Sequence, residues 1–481
     1  MSLRKKSAEG LKWSFLETVG IRLFSVSTYF VLAKILDPTA FGLVALTNTF
    51  IFFSEAFVDQ GFVAALVQKK DLLPKHLSSA FWGNLVLGGL LFFLTYIGSP
   101  WIASLYGEPM LTDILRVHAI TFVISAFAKV QLALLQRELK LKTIAIARTI
   151  AIVISCTVSI FLAYQGYGAW SLIFQQLIFN FLQTAILWIL GRWVPSFVFS
   201  WECYRSIFSF GSKVMMNRFV MYVIRYADSL LIGYFLGTEL LGYYSFAQKI
   251  FITLTDLINL TFTKVTFSVF SLLQDQKQRI ASELRKFIDL TATVTFPLFS
   301  ATFVFAPYAV PLLFGEKWLP SISIIQVFSF AGVLICFYSC FNNLLAGLGK
   351  VGLNLRIKIV YLLLSLVLIF FAVQISIEMV AATYIISMTI TLIIILFYVS
   401  RFINLNIGYY TVNILKPLIF SIALALIVYL SSQLIVRITL PILAVQVVLS
   451  GAAYVGYLLV TKPNIKQQLG LAFNRKPVEA K

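Results

Sequence analysis

The sequence predicts an all-α integral membrane protein. It would have fourteen transmembrane helices, arranged as two parallel six-helix repeats plus a C-terminal helix pair, with both termini in the cytoplasm. Three observations predict this. The 481-residue chain is 60% hydrophobic and 12% charged, with mean hydropathy +0.92, whereas a soluble domain is roughly half apolar and about a quarter charged. Fourteen stretches reach the length, about 20 mainly apolar residues, that spans a bilayer core. The net charge of +19 would suggest a nucleic-acid partner in a soluble chain, but here it sorts to one side of those stretches.

The first span covers 13–36 and begins at Trp13. The preceding Arg4-Lys5-Lys6 resembles the start of a signal peptide, but the apolar stretch runs to Leu36 without a small-x-small cleavage site, so a retained span is expected. Spans two to six cover 41–66, 77–97, 114–135, 144–163 and 170–190, with Trp101, Trp170, Trp188 and Trp193 at or near their ends as interfacial indoles. Residues 1–193 form the expected N-terminal lobe. Residues 194–209 are read as a cytoplasmic linker; their Trp201, Tyr204 and Phe208 also suit a segment lying along the interface. The second lobe, 210–403, holds spans at 210–234, 242–270, 287–306, 322–345, 357–374 and 379–399, with Trp318 just before the fourth of them. The last region, 404–481, holds spans at 417–434 and 439–460 and a cytoplasmic tail.

Charge orients the spans. With the N-terminus inside, 27 of the 38 Lys and Arg fall on the cytoplasmic side, and only Lys34, Lys317 and Arg437 on the other. That bias is the positive-inside pattern, and an omitted helix would scramble it. The other eight lie within spans: Arg22, Arg116, Lys129, Arg148, Arg218, Arg225, Lys249 and Lys264.

Two pairs of turns repeat. Leu36-Asp37-Pro38-Thr39-Ala40-Phe41-Gly42-Leu43 matches Leu236-Gly237-Thr238-Glu239-Leu240-Leu241-Gly242-Tyr243, and Leu105-Tyr106-Gly107-Glu108 matches Leu313-Phe314-Gly315-Glu316. Six spans per copy is an even number, so the copies enter the membrane in the same sense, an arrangement that places a transport site between lobes. The stretch Phe210–Lys249, with Asp228-Ser229-Leu230-Leu231-Ile232-Gly233 and Gly242-Tyr243-Tyr244-Ser245-Phe246-Ala247, resembles the Wzx-type polysaccharide flippases, as does Leu36–Leu46. Those belong to the MOP superfamily with lipid II flippases and MATE exporters. The resemblance implies MATE-like lobes in a bacterial inner-membrane protein that is not an enzyme. Its substrate would be a polyprenyl-diphosphate-linked oligosaccharide, exported by alternating access for O-antigen, capsule or exopolysaccharide synthesis. The extra helix pair would help accommodate the polyprenyl tail, and the partners implied are membrane lipid, a polysaccharide polymerase and chain-length machinery.

Such a headgroup needs cations inside the membrane, where each costs at least about 2.5–3.5 kcal/mol at a helix centre. Arg22 shares a stripe with Thr18, Ser25 and Tyr29 on span one, and Arg218 and Arg225 share a face of span seven. These three and Lys249, Arg148 and Lys264 are the candidate substrate contacts, although Arg148, Lys264 and Lys129 lie near enough to helix ends to snorkel. The acidic set for ion coupling or charge pairing is Glu55, Asp59, Asp228 and Asp256, with Asn48. Glu55 and Asp59, one turn apart, cannot both ionise cheaply in a low dielectric; they suit a proton or, with Asn48, Na⁺, or else charge balance for Arg22. Asp228 can pair with Arg225 and Asp256 with Lys249. Cys156, Cys203, Cys336 and Cys340 make no CxxC motif or metal-ligand spacing with His76 or His118, so no metal and no resident cofactor is expected. The sequence lacks an ATP-binding loop, which leaves an ion gradient (H⁺ or Na⁺) or the membrane potential as the expected energy source. A MATE-like organic-cation antiporter and a membrane glycosyltransferase or polymerase of the same pathway are the alternatives. The first is disfavoured by deep Arg, and the second by the shortness of the extracytoplasmic connections.

Overall fold

Within bilayer hydrocarbon a backbone N–H or C=O finds no water, so an apolar segment satisfies its groups internally by becoming a helix. The computed structural model follows this rule, with helices as its regular elements. It describes residues 3–191, 193–274, 276–403, 407–434 and 439–461, with side chains except those of 3–12, 14–16, 56, 260–265, 277, 351 and 407–413. The helices are α1 (Leu3–Ile35), α2 (Pro38–Asp59), α3 (Phe62–Gln68), α4 (Pro74–Tyr106), α5 (Met110–His118), α6 (Ile120–Arg137), α7 (Leu141–Tyr164), α8 (Ala169–Gly191) and α9 (Trp201–Leu272). They continue with α10 (Lys277–Phe314), α11 (Ser321–Gly347), α12 (Val351–Ala372), α13 (Ile377–Ile403), α14 (Ile407–Leu434) and α15 (Leu440–Thr461).

Among the described residues thirteen helices are long and apolar enough to cross a membrane. The difference from fourteen arises at α9. Its 72 residues would reach roughly 110 Å at 1.5 Å per residue, far beyond the ~30 Å of bilayer hydrocarbon. The helix is interrupted at Gly237, with φ 86° and ψ 174°, a backbone state that glycine tolerates and side chains do not. The interruption falls between the expected spans 210–234 and 242–270, so α9 contains both.

Three boundaries differ from expectation. The stretch 41–66 is not one helix: α2 ends at Asp59, Gln60 (φ 44°) and Gly61 (φ 68°) reverse the backbone, and α3 restarts at Phe62. The stretch 114–135 divides into α5 and α6 at Ala119. The linker is not slack either. Ser196 and Ser78 hydroxyls bond at 2.8 Å, Ser200 N donates to Ser79 Oγ at 2.9 Å, Phe197 stacks on Trp82 at 5.3 Å, and Tyr204 donates to Gln60 Oε1 at 2.5 Å. Its aromatic residues are what fasten it, and from Trp201 it is already the first turn of α9.

The chain divides into two compact units, Met1–Ser245 and Phe246–Lys481. In the first, α1 packs on α7, α7 on α8, and α6 on α3, α4 and α8. Phe62, Leu66, Phe81, Val130 and Ile207 form a core with Trp188, Trp193 and Tyr204 around it. In the second, α11 packs against α10 and α13, and α10 carries α14; Phe270, Leu284, Phe287, Phe341 and Leu344 centre its core. Many buried hydroxyls in these units bond back to carbonyls of their own helix, as Thr47, Thr255 and Thr291 do at 2.7–2.9 Å, which satisfies them without a partner from another helix.

Candidate functional site

The charges of the first unit come together where α2 ends. Its helical period puts Glu55 and Asp59 one above the other, and each has its own cation. Lys129 Nζ of α6 lies 3.3 Å from Glu55 Oε1, and Arg218 of α9 is bonded to Asp59 Oδ2. Asp59 is 3% exposed and its second oxygen has no hydrogen-bond partner, whereas the Arg218 side chain is 45% exposed. Aromatic contacts hold the two helices in this register: Phe219 meets Phe53 at 4.9 Å and Phe57 at 5.5 Å, and Tyr226 meets Phe52 at 5.5 Å. Lys129 and Arg218 thus each balance one of the α2 carboxylates. Lys129 is half-buried and engages Glu55 rather than reaching for the end of its helix.

Two helical turns beyond Arg218, on the same face, Arg225 is exposed. Its guanidinium lies 5.8 Å from the Tyr226 ring centroid, and it has no ion-pair partner among the described residues. The Arg225–Asp228 pair that the spacing permits is not formed. Asp228, 1% exposed, instead accepts from Tyr244 Oη at 2.8 Å and from Ser229 N at 2.7 Å. It thereby fastens the two arms of α9 across the break at Gly237.

The remaining candidates are dispersed. Arg148 Nη1 of α7 is bonded to Glu17 Oε1 of α1 at 2.9 Å, a pair that joins two packed helices. Arg22 is half-buried on α1 and engaged. Asn48 lies two turns before Glu55, and its buried Oδ1 has no hydrogen-bond partner. Lys249 and Asp256 belong to the second unit, half-buried and both engaged. The Lys264 side chain lies outside the described residues.

Two features escaped the reading of the sequence. The first is a crossing of the two repeated turns. A Cβ on Gly42 would strike the Thr238 carbonyl, and one on Gly242 would strike the Pro38 carbonyl. Each contact maps onto the other by the 200-residue offset, so the contact is reciprocal, and only residues without a side chain permit so close an approach. The repeat itself was the available signal. The second is an apolar cavity of about 650 Å³ in the second unit, among α9, α10, α14 and α15, lined by Leu257, Val294, Leu298, Ala425, Val447 and Tyr454 among others.

Comparison with known proteins agrees with this architecture. Over 97% of its length the chain is 28% identical to the teichuronic acid biosynthesis protein TuaB of Bacillus subtilis, covering 98% of that protein. Over 75% of its length it is 25% identical to the lipopolysaccharide biosynthesis protein WzxC of Escherichia coli, covering 73% of it. Among solved structures it shares the fold of the lipid II flippase MurJ in an inward closed conformation, with TM-score 0.78 and 14% identity over 95% of this chain and 99% of that one. The family model for polysaccharide biosynthesis proteins matches residues 31–323, more than half of the chain, and the protein belongs to that family.

Proposed function

We propose that this multi-span helical membrane protein moves a polyprenyl-diphosphate-linked oligosaccharide from the cytoplasmic to the periplasmic leaflet of the bacterial inner membrane by alternating access. The product would feed surface polysaccharide assembly through a polymerase and its chain-length machinery. The names of its relatives speak of teichuronic acid and lipopolysaccharide biosynthesis, and that of its structural neighbour of lipid II flipping. One observation carries the reading: a helix apolar enough to span presents an exposed Arg225 and a half-exposed Arg218 on one face. Guanidinium groups donate bidentate hydrogen bonds to phosphate and stay ionised at any physiological pH. Asp59 occupies Arg218 through one nitrogen of a five-donor fork, so the group can hold substrate phosphate without first abandoning its carboxylate. An organic cation is poorly served by the same face, because Glu17, Glu55 and Asp59 are each tied to a cation of the protein.

The charge bias supports cytoplasmic termini. The reciprocal contact of the Gly42 and Gly242 turns supports two parallel repeats related by an axis along the membrane normal. The polyprenyl tail would lie in the apolar cavity bounded by α14 and α15. Coupling to an H⁺ or Na⁺ gradient would run through Glu55 and Asp59: a guanidinium shared with substrate phosphate offsets its carboxylate less, and so buried a carboxylate then takes up another positive charge. The test is complementation of a deletion strain. Arg22→Ala and Arg225→Ala should abolish surface polysaccharide at normal expression, and full export by both variants refutes the cationic path.

A further inference from the structure

The second unit has a cationic site of its own. At one end of the second unit a cavity of about 800 Å³ is lined by Arg285, Lys286 and Asp289 of α10, Lys416 and Phe420 of α14, and Tyr457 of α15. Lys286 also holds Glu283 at 2.8 Å. Lys416 is exposed and has no ion-pair partner among the described residues. The apolar run sets the depth: Lys416 immediately precedes the uncharged stretch 417–434 of α14, and Thr461, in the last turn of α15, also lines the mouth. That is the level at which basic pockets between transmembrane helices take up phosphate headgroups.

The same three helices continue directly into the apolar cavity. One turn further along α10 come Leu290, Thr293 and Val294, along α14 Leu424 and Ala425, and along α15 Tyr454. At the junction Phe420 stacks on Tyr457 at 4.0 Å and meets Tyr454 at 5.8 Å. The polar mouth therefore passes into hydrocarbon-lined space across a single layer of rings. A glycerophospholipid would place its glycerol and two ester groups against that layer, whereas a prenyl diphosphate has its charge attached directly to an unsaturated chain. The lining carries three cations against Asp289, with Glu283 paired to Lys286, so the mouth keeps a positive excess toward an anionic headgroup.

We infer that this mouth is a loading site for the lipid diphosphate. The headgroup rests on Arg285, Lys286 and Lys416 while the first isoprene units enter the cavity, before transfer to the Arg218–Arg225 face. The inference rests on the transport reading above and adds to it a first station for the substrate.

The test uses the full-length protein in detergent with a photoreactive geranylgeranyl diphosphate as probe, its crosslinks mapped by peptide. Crosslinks should appear in the α14–α15 region, be competed by geranylgeranyl diphosphate, and resist phosphatidylglycerol and geranylgeraniol. Removing a cation should weaken apparent affinity about 5-fold, and Arg285→Ala/Lys416→Ala about 25-fold. Arg225→Ala should leave these crosslinks in place. If the double variant is poorly folded, Lys416→Gln alone should still show the single-cation loss. Equal competition by phosphatidylglycerol overturns the site in favour of a bilayer-lipid pocket. Crosslinks unaffected by the double variant overturn it while leaving the transport reading intact, and no crosslinking anywhere in the chain counts against both.

Discussion

The ion pair between Arg218 and Asp59 separates a structural role from a transport role, because its two partners are buried so unequally. Asp59 is 3% exposed and Arg218 45%. Arg218→Ala leaves a carboxylate in the interior with neither oxygen bonded, and breaking a buried pair in this way costs about 3–5 kcal/mol. Asp59→Asn leaves a guanidinium that still reaches solvent, so its cost should resemble that of a surface pair, about 0–1 kcal/mol. Replacing both, as Arg218→Met/Asp59→Leu, removes the stranded charge and should return stability to within about 1 kcal/mol of the native protein, since apolar substitution of a buried pair is near neutral. The assay is built into the chain. Cys156, Cys336 and Cys340 are buried free thiols, with Cys203 half-buried as a baseline, so a thiol-reactive dye reports unfolding on heating. Export should follow a different order: Asp59→Asn keeps Arg218 and so still transports polysaccharide, with weakened dependence on the ion gradient, whereas the stable double variant does not transport. Equal destabilisation by the two single variants refutes the burial reasoning. Full export by the double variant refutes a role for Arg218 in transport.

Three further outcomes follow from the geometry. Gly42→Val and Gly242→Val should each lower stability by about 1–3 kcal/mol through overpacking against the opposed carbonyl, and by similar amounts because the contact is reciprocal; a native melting temperature in either variant removes the close crossing. Glu55→Gln, which leaves Lys129 without its carboxylate, should make transport insensitive to the gradient that drives the native protein, and unaltered sensitivity to collapse of both gradients would rule out coupling at this position. Tyr204→Phe deletes the donor to Gln60, a side chain 1% exposed, and should cost about 1–3 kcal/mol for the acceptor left unsatisfied, measured by the same thiol-dye melt.

The spans were legible because a bilayer leaves the backbone so few choices: an apolar run of sufficient length becomes a helix whatever surrounds it. The same dominance hid the interruptions. The Gln60-Gly61 reversal and the joint at Ala119 lie inside apolar runs, and hydropathy alone reads straight through them. The break at Gly237 was visible as a gap between spans, although the helix resumes so promptly that one element covers both. Pairings were less accessible, since they are decided by packing between distant segments. Glu55 meets Lys129 at a separation of 74 residues and Asp59 meets Arg218 at 159, while the local pair Arg225–Asp228, favoured by spacing, gives way to a Tyr244–Asp228 bond across the bend in α9. That substitution has a physical cause. Beside a helix break, a buried carboxylate gains more from hydroxyl and backbone donors already fixed around it than from an arginine that must be drawn inward at the cost of its own solvation. The result is an arginine left exposed on a spanning helix, with no ion-pair partner among the described residues.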